Sequence, residues 1–141
     1  MIDRERYEME LAVLKRKLPE GTYHFSLGRE RPFVAFAART NAGHLYTIQV
    51  ELDRFPASVP KAFVTQMLRD KDGDDLDEGL HSMHTLPSEH GWTRICHYGT
   101  DSWSPAVSLY KVYIKCRLWL EVYEKHLQTG RPMEYYLKRQ A

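Results

Sequence analysis

The apolar residues of positions 2–18 recur with the period of an α-helix. They follow one another at offsets of four, three and four, and they are Tyr7, Leu11, Leu14 and Leu18. This spacing brings them to one side of a helix, whereas the other side is mostly charged and locally basic. Pro19 and Gly21 then stop the helix. The pattern predicts an amphipathic N-terminal helix over residues 2–18.

Between residues 22 and 67 the apolar period changes to two. The clearest alternation is at Tyr46, Ile48, Val50 and Leu52. Four strands are predicted, at 22–27, 33–40, 44–52 and 61–67. Asn41 and Gly43 tolerate the positive φ that a tight hairpin needs, so the second and third strands are adjacent. The simplest arrangement is a four-stranded antiparallel meander.

Helical spacing returns after Pro105 and continues for about five turns. The apolar stripe consists of Leu109, Tyr113, Cys116, Leu120, Tyr123 and Leu127. Cys116 therefore lies on the buried face of a long helix, where a free cysteine acts as a small hydrophobe. Gly130 and Pro132 end the helix, and residues 133–141 add one more helical turn or two. Together the elements predict an α+β fold with a long C-terminal helix.

Composition and charge limit the class of protein. With 141 residues, of which 43% are hydrophobic, the chain forms a single domain over 1–141. A net charge of +1 argues against a nucleic-acid binder. No stretch is apolar enough to bind or span a membrane, and the charged start predicts a cytoplasmic protein. The two cysteines are then expected to be free thiols.

The acidic run from Asp70 to Glu78 raises the question of a calcium site. A helix–loop–helix calcium loop has its glycine at the sixth position, whereas Gly73 is the fourth residue from Asp70. A strand, rather than a helix, is also predicted before the run. We therefore expect a solvated acidic loop without a metal.

The stretch 81–105 concentrates the candidate chemistry. It contains four of the seven histidines, His81, His84, His90 and His97, around Cys96, one of only two cysteines. A cysteine on a short polar segment beside histidines fits a reactive thiol. Alternatively, Ile95 and Cys96 form the buried end of a small strand and the histidines merely line a loop. Local composition leaves both interpretations open.

The order of elements and motifs resembles the ubiquitin-conjugating enzyme family over nearly the whole chain. The Tyr-Pro-x-x-Pro-Pro corner of that family is matched loosely by Phe55, Pro56, Val59 and Pro60. Its Ile-Cys pair is matched by Ile95 and Cys96, and its Trp-x-Pro by Trp103 and Pro105. The run 119–130 looks like the divergent bacterial members. The resemblance implies an N-terminal helix, a four-stranded meander, an active-site loop and a long C-terminal helix.

The chain also departs from the family pattern. The usual enzymes have His-Pro-Asn about ten residues before the cysteine, and the asparagine stabilises the oxyanion of the intermediate; here no asparagine follows Asn41. His84, twelve positions before Cys96, is the preferred match for the histidine, with His81 in reserve. Residues 87–90 look like an insertion. The oxyanion role then falls to backbone N–H groups, a histidine or ordered water.

The function implied by the resemblance is transfer of a ubiquitin-like protein. Cys96 would accept its C-terminal acyl group from an activating enzyme as a thioester and pass it to an amine on a target protein. Exchange between thiols is nearly isoenergetic and needs no cofactor or metal. The basic face of residues 4–17 is the expected docking surface for the activating enzyme. The resemblance to bacterial members also implies an antiviral defence operon that encodes the acceptor.

Alternatives of other classes remain open. A non-catalytic member of the same fold would bind a ubiquitin-like partner without transferring it, although such variants typically lack the cysteine. A zinc site is conceivable from imidazole and thiolate ligands, drawn from His81, His84, His90, Cys96 and His97. A cysteine hydrolase would need a third residue to orient its histidine, and the sequence identifies none.

Overall fold

The computed structural model describes residues 2–28 and 30–137. The fold is α+β, with a six-stranded antiparallel sheet and three helices. The helices are α1 (Arg4–Lys17), α2 (Leu109–Thr129) and α3 (Met133–Leu137). The strands are β1 (Tyr23–Ser26), β2 (Phe33–Arg39), β3 (Leu45–Glu51), β4 (Ala62–Val64), β5 (Thr85–Glu89) and β6 (Trp92–Ile95). The predicted N-terminal helix and long C-terminal helix are both confirmed.

Helix α1 begins and ends where local chemistry favours it. The Asp3 carboxylate caps the helix by accepting the Arg6 N–H at 2.8 Å. The last turn carries Lys15, Arg16 and Lys17, whose charges complement the negative end of the helix dipole. Leu18, in an extended conformation, terminates the helix.

The sheet has more strands than the predicted four. Its order is β1-β2-β3-β4-β6-β5, so the first four strands form the expected meander and a further hairpin joins the edge of β4. Residues 85–95, predicted as loop, form that hairpin. His90 and Gly91 make its two-residue turn with φ values of 60° and 73°, the conformation that tight hairpins require. The prediction of a four-stranded sheet with an active-site loop was wrong at this hairpin.

The strand signal of the hairpin is weak for physical reasons. Pro87 lies within β5 and cannot donate a ladder hydrogen bond, which is tolerated because β5 is an edge strand. The register also shifts between Leu86 and Glu89, which pair with Arg94 and Trp92. One extra residue on β5 therefore breaks the alternation. This irregularity lies within residues 87–90, the segment interpreted from the sequence as an insertion.

Helices α1 and α2 cover one face of the sheet. The buried residues of β2 and β3 alternate and are Val34, Phe36, Ala38, Ile48 and Val50. From this face Phe36 contacts Tyr113 of α2, with ring centroids 4.9 Å apart. Phe25 of β1 meets Tyr7 of α1 at the same separation of 4.9 Å. The core therefore lies between the helices and the inner face of the sheet.

Helix α2 follows its predicted stripe except at the C-terminal end. Gly130 caps it with φ 76° and donates its N–H to the His126 carbonyl. Leu127, predicted to be buried, is 44% exposed, and His126 is buried instead. The His126 ring accepts the Lys71 N–H at 3.1 Å and donates to the Arg131 carbonyl at 2.7 Å. Packing against these two loops overrides the apolar period.

An ion pair shielded from solvent joins α1 to the start of α2. The Arg6 and Glu10 side chains, 2.8 Å apart, are 18% and 5% exposed. Glu10 accepts the Leu109 N–H at 2.7 Å, while Arg6 donates to the Pro105 and Val107 carbonyls at 2.6 and 2.9 Å. These hydrogen bonds from α1 hold the end of the segment that connects Cys96 to α2.

The acidic run is a largely exposed turn, as expected. The Asp70 carboxylate accepts the N–H groups of Asp72 and Asp74 at 2.9 and 3.0 Å. The predicted final helical turn corresponds to α3, and residues 138–141 of that prediction lie outside the described residues. Within the described part of the chain, no helix combines the length and apolar character needed to cross a membrane.

Candidate active site around Cys96

Cys96 follows directly on the last residue of β6. Ile95 is buried in the core, whereas Cys96 is half-buried. The Cys96 N–H donates to the His84 carbonyl at 3.0 Å. Ile95 therefore ends a buried strand and Cys96 lies just beyond it, while the reactivity of the thiol stays a prediction.

A strained turn brings His84 to Cys96. His84 follows a short 3-10 helix, His81–Met83, and adopts the left-handed conformation with φ 49° and ψ 50°. A side chain with a β-carbon rarely occupies that region. The turn is fixed by the Trp119 indole N–H, which lies 3.1 Å from the Met83 carbonyl and 3.0 Å from the His84 carbonyl. Helix α2 therefore determines where the His84 turn sits.

Cys96 and His84 line one small cavity. Its volume is about 280 Å³, and its walls come from the His84 turn, the end of β6, α2 and α3. The lining residues are His84, Cys96, His97, Lys115, Leu118, Trp119 and Leu137. The cavity wall thus combines a cysteine, two histidines and a lysine with apolar residues.

The His84 imidazole is biased towards its neutral form. Burial lowers its pKa below the usual range, and the nearby His81 adds to this effect, while Glu134 opposes it. The two histidine rings are 5.4 Å apart. His81 itself is exposed and pairs with Glu134 at 3.2 Å, and it is absent from the cavity wall. Of the two predicted histidines, His84 is therefore the one beside Cys96.

His97 supports the site from the other side. Its Nε2–H donates to the Pro60 carbonyl at 2.8 Å, and its Nδ1 is buried without a hydrogen-bond partner among the described residues. Burial lowers the pKa of His97 to about 4; the charges of Lys115 and Arg94 act in the same direction, and the Pro60 contact opposes them. The ring is neutral at pH 7.

The two motifs that flank the cysteine in the family resemblance are in contact. The Trp103 indole N–H donates to the Pro56 carbonyl at 2.9 Å. Its ring packs against Phe55 and Tyr98, with centroids 6.1 and 5.5 Å away. The Phe55–Pro56 peptide bond is cis. The corner at 55–60 therefore supports both sides of Cys96, through Trp103 and through His97.

The five proposed zinc ligands do not form a cluster of metal-binding geometry, although His84, Cys96 and His97 line the same cavity. His90 lies on the outer face of the sheet beside Glu51, Phe63 and Trp92, with its Nε2 3.3 Å from the Glu51 carboxylate. Within residues 2–28 and 30–137, the one set of three potential metal ligands within 4.8 Å of one another is Asp70, Asp72 and Asp74. The geometry does not support a zinc site built on the histidine–cysteine stretch.

Cys116 occupies the predicted packing position. It has no exposed surface, and burial raises the pKa of its thiol far above the usual range. Both cysteines are free. Cys96 is accordingly the thiol that a reactant can reach.

Several residues of the site were not predicted from the sequence. Lys115, Leu118 and Trp119 lie at i, i+3 and i+4 on α2, so they share one face of that helix. Leu137 comes from α3. The sequence holds one usable signal, a mixed basic and apolar face on α2 beside the core stripe, but it does not say what that face meets.

Comparisons of the chain with protein-family models, with curated proteins and with solved structures gave no match. The fold and the site by themselves define an α+β domain with a half-buried cysteine at the end of a strand. Two histidines and a lysine share the cavity with that cysteine.

Proposed function

We propose that this chain is a ubiquitin-conjugating-enzyme-like carrier that holds a ubiquitin-like protein as a thioester on Cys96. The observation that carries the proposal is the arrangement of Cys96 and His84, which line one cavity while the Cys96 N–H bonds to the His84 carbonyl. The contact between Trp103 and Pro56 supports the same family resemblance, because it joins two of its motifs. By that resemblance, the carrier acts in a bacterial antiviral defence system.

The first chemical step is exchange between two thiols. The Cys96 thiolate attacks the carbonyl carbon of the thioester on the activating enzyme, and a tetrahedral oxyanion forms. Collapse of this intermediate breaks the old C–S bond, and the cysteine of the activating enzyme leaves as a thiolate. One thioester replaces another, so the energy of ATP is used in the earlier activation step.

The second step transfers the acyl group to an amine. A neutral target amine attacks the Cys96 thioester, the C–S bond breaks, and Cys96 leaves as a thiolate. The proton lost by the amine passes to solvent or to a neutral base. The His84 imidazole lines this cavity, and burial lowers its pKa and so favours its neutral form. The product is an isopeptide bond on the acceptor, a protein that we place in the same operon.

The docking surface proposed for the activating enzyme is narrower than residues 4–17 as a whole. Arg6 is engaged with Glu10 and with backbone carbonyls, so it is unavailable to a partner. Arg4 and Lys15 remain exposed. They are eleven residues apart, about three helical turns, and so lie on one side of α1.

The decisive experiment is a charging assay. The cognate ubiquitin-like protein and activating enzyme, each verified as active, are incubated with the chain and ATP, and adducts are separated with and without excess thiol. We expect an adduct on Cys96 that thiol cleaves, because a thioester exchanges with thiols whereas an isopeptide does not. Cys96→Ser should give no adduct or a thiol-resistant oxyester, and Cys116→Ala is the matched control that should charge normally.

One outcome would contradict the carrier function and favour a non-catalytic binding domain. If active partners bind the folded chain but never load it covalently, the carrier function is wrong. The chain would then be a non-catalytic domain that recognises a ubiquitin-like protein.

A further inference from the structure

The proposed reaction lacks the group that usually stabilises its oxyanion. Asn41 is the last asparagine of the chain. It lies at the β2–β3 turn, where its N–H donates to Glu121 at 2.8 Å and its side chain accepts from Arg117 at 3.2 Å. It is absent from the wall of the Cys96 cavity. Another donor must therefore serve the acyl oxygen.

Lys115 is suitably located for this task. It lies one helical turn before Trp119 on α2, and both residues line the cavity of Cys96. Of the described residues in the cavity wall, Lys115 alone carries a permanent positive charge. Its charge also contributes to the lowered pKa of His97, the immediate neighbour of Cys96. The field of Lys115 therefore reaches the segment that bears the thiol.

The ammonium group is held by an aromatic ring rather than by a carboxylate. Lys115 Nζ lies 4.2 Å from the centre of the Tyr98 ring. Tyr98 packs against Trp103, whose indole is fixed by the Pro56 carbonyl. The Tyr98 phenol is neutral at pH 7, and burial raises its pKa further. The ring orients the cation without neutralising it.

No acidic side chain competes for this charge in the part of the chain that the structure describes, since Lys115 forms no ion pair there. A cation that is already oriented and unpaired can respond to a new negative charge with little rearrangement. Preorganisation of this kind is what makes electrostatic stabilisation of a transition state effective.

We propose that the Lys115 ammonium group donates a hydrogen bond to the oxyanion formed at Cys96, an inference that rests on the proposed function. When a nucleophile attacks the Cys96 thioester, the carbonyl π electrons move to oxygen and Lys115 stabilises that charge. Collapse restores the carbonyl, breaks the C–S bond and releases the Cys96 thiolate. Lys115 keeps its proton throughout and thus takes the place of the missing asparagine.

The test isolates this step from the unknown partners. Cys96 is acylated with excess of a short synthetic peptide thioester that ends in glycine, the excess is removed, and release to hydroxylamine is followed by mass spectrometry. Lys115→Gln, Lys115→Arg and the wild type are compared. Lys111→Gln is the matched control, because Lys111 lies one turn earlier on α2 and outside the cavity.

We expect Lys115→Gln to release the acyl group about tenfold more slowly at saturating hydroxylamine, less than the hundredfold typical of a buried oxyanion donor because this cavity is open to water. Lys115→Arg should recover part of the rate, and Lys111→Gln should match the wild type. An unchanged thermal unfolding midpoint would separate this effect from a structural one.

Three results would overturn the inference. Equal release rates for Lys115→Gln and the wild type would exclude Lys115 while leaving the carrier function intact. Slowing of Lys115→Gln and Lys115→Arg to the same degree would exclude a role for the charge. If the peptide thioester acylates a free cysteine peptide but never Cys96, the thiol is inaccessible and the proposed function itself fails.

Discussion

The neutral imidazole of His97 should make the stability of the protein depend on pH. Its Nε2–H is used by the Pro60 carbonyl, and its Nδ1 is buried without a described partner. A second proton would therefore add a buried charge and an N–H without an acceptor. The unfolded chain has no such restriction and binds the proton freely. Stability is thus fully present above the unfolded pKa and is lost as the pH falls towards the folded pKa.

The size of this effect follows from the two pKa values. The pKa of His97 falls from 6.5 to about 4 on folding. Between pH 7 and pH 5 the unfolded histidine becomes protonated and the folded one does not, which removes about 2 kcal/mol from the free energy of unfolding. Glu89 and Glu124 have pKa values held below the usual range, so their contributions are lost mainly below this window.

His97→Gln isolates the contribution, since a glutamine amide can still donate to the Pro60 carbonyl. Urea unfolding at pH 7 and pH 5 gives the loss of stability for the wild type and the variant. The wild type should lose about 2 kcal/mol more than His97→Gln over this interval. The same loss in both proteins would mean that His97 is protonated in the folded state and that its surroundings have been misread.

Substitutions at three further residues, with Arg4→Ala as a control, test the remaining features. Cys116→Ala should reduce the free energy of unfolding by about 1 kcal/mol without affecting charging, because the thiol only packs; loss of charging in a folded variant would contradict this. His84→Ala should slow discharge more than charging. His84→Gly also lacks the ring, so its discharge should be equally slow. Glycine tolerates the positive φ, so His84→Gly should be more stable than His84→Ala by about 1 kcal/mol. Normal discharge in both variants would show that the His84 ring has no role in discharge. Arg6→Ala should destabilise the fold by about 3 kcal/mol by leaving Glu10 unpaired, as measured by urea unfolding, whereas the exposed Arg4→Ala should have no measurable effect.

Regular periodicity was the part of the fold that the sequence could predict. Helix α1, the alternating strands β2 and β3, and the position of Cys116 all follow from uninterrupted patterns. The β5–β6 hairpin was not predicted because Pro87 and an extra residue between Leu86 and Glu89 interrupt its alternation of apolar and polar residues. Leu127 continued the helical period but lies where loops bury His126 instead.

The candidate site was predictable where its members are neighbours in sequence. Composition drew attention to Cys96 and its neighbouring histidines, and the family resemblance then selected His84, which is twelve residues away and joined to Cys96 by one short hairpin. Lys115 and Leu137 come from α2 and α3 and reach the cavity only through tertiary packing. The family resemblance predicts an oxyanion donor that this sequence lacks, and Lys115, the residue that we propose for that role, could be considered only once the fold was known.

The burial of Cys116 gives the protein an internal reporter of its own unfolding. In the folded state a thiol reagent in solution meets one sulfur, that of half-buried Cys96, whereas the unfolded chain offers two. The mass of each labelled molecule therefore distinguishes chains that have opened globally from chains that have not. Under conditions where refolding outpaces labelling, the rate of the second modification measures the population of the open state without any denaturant.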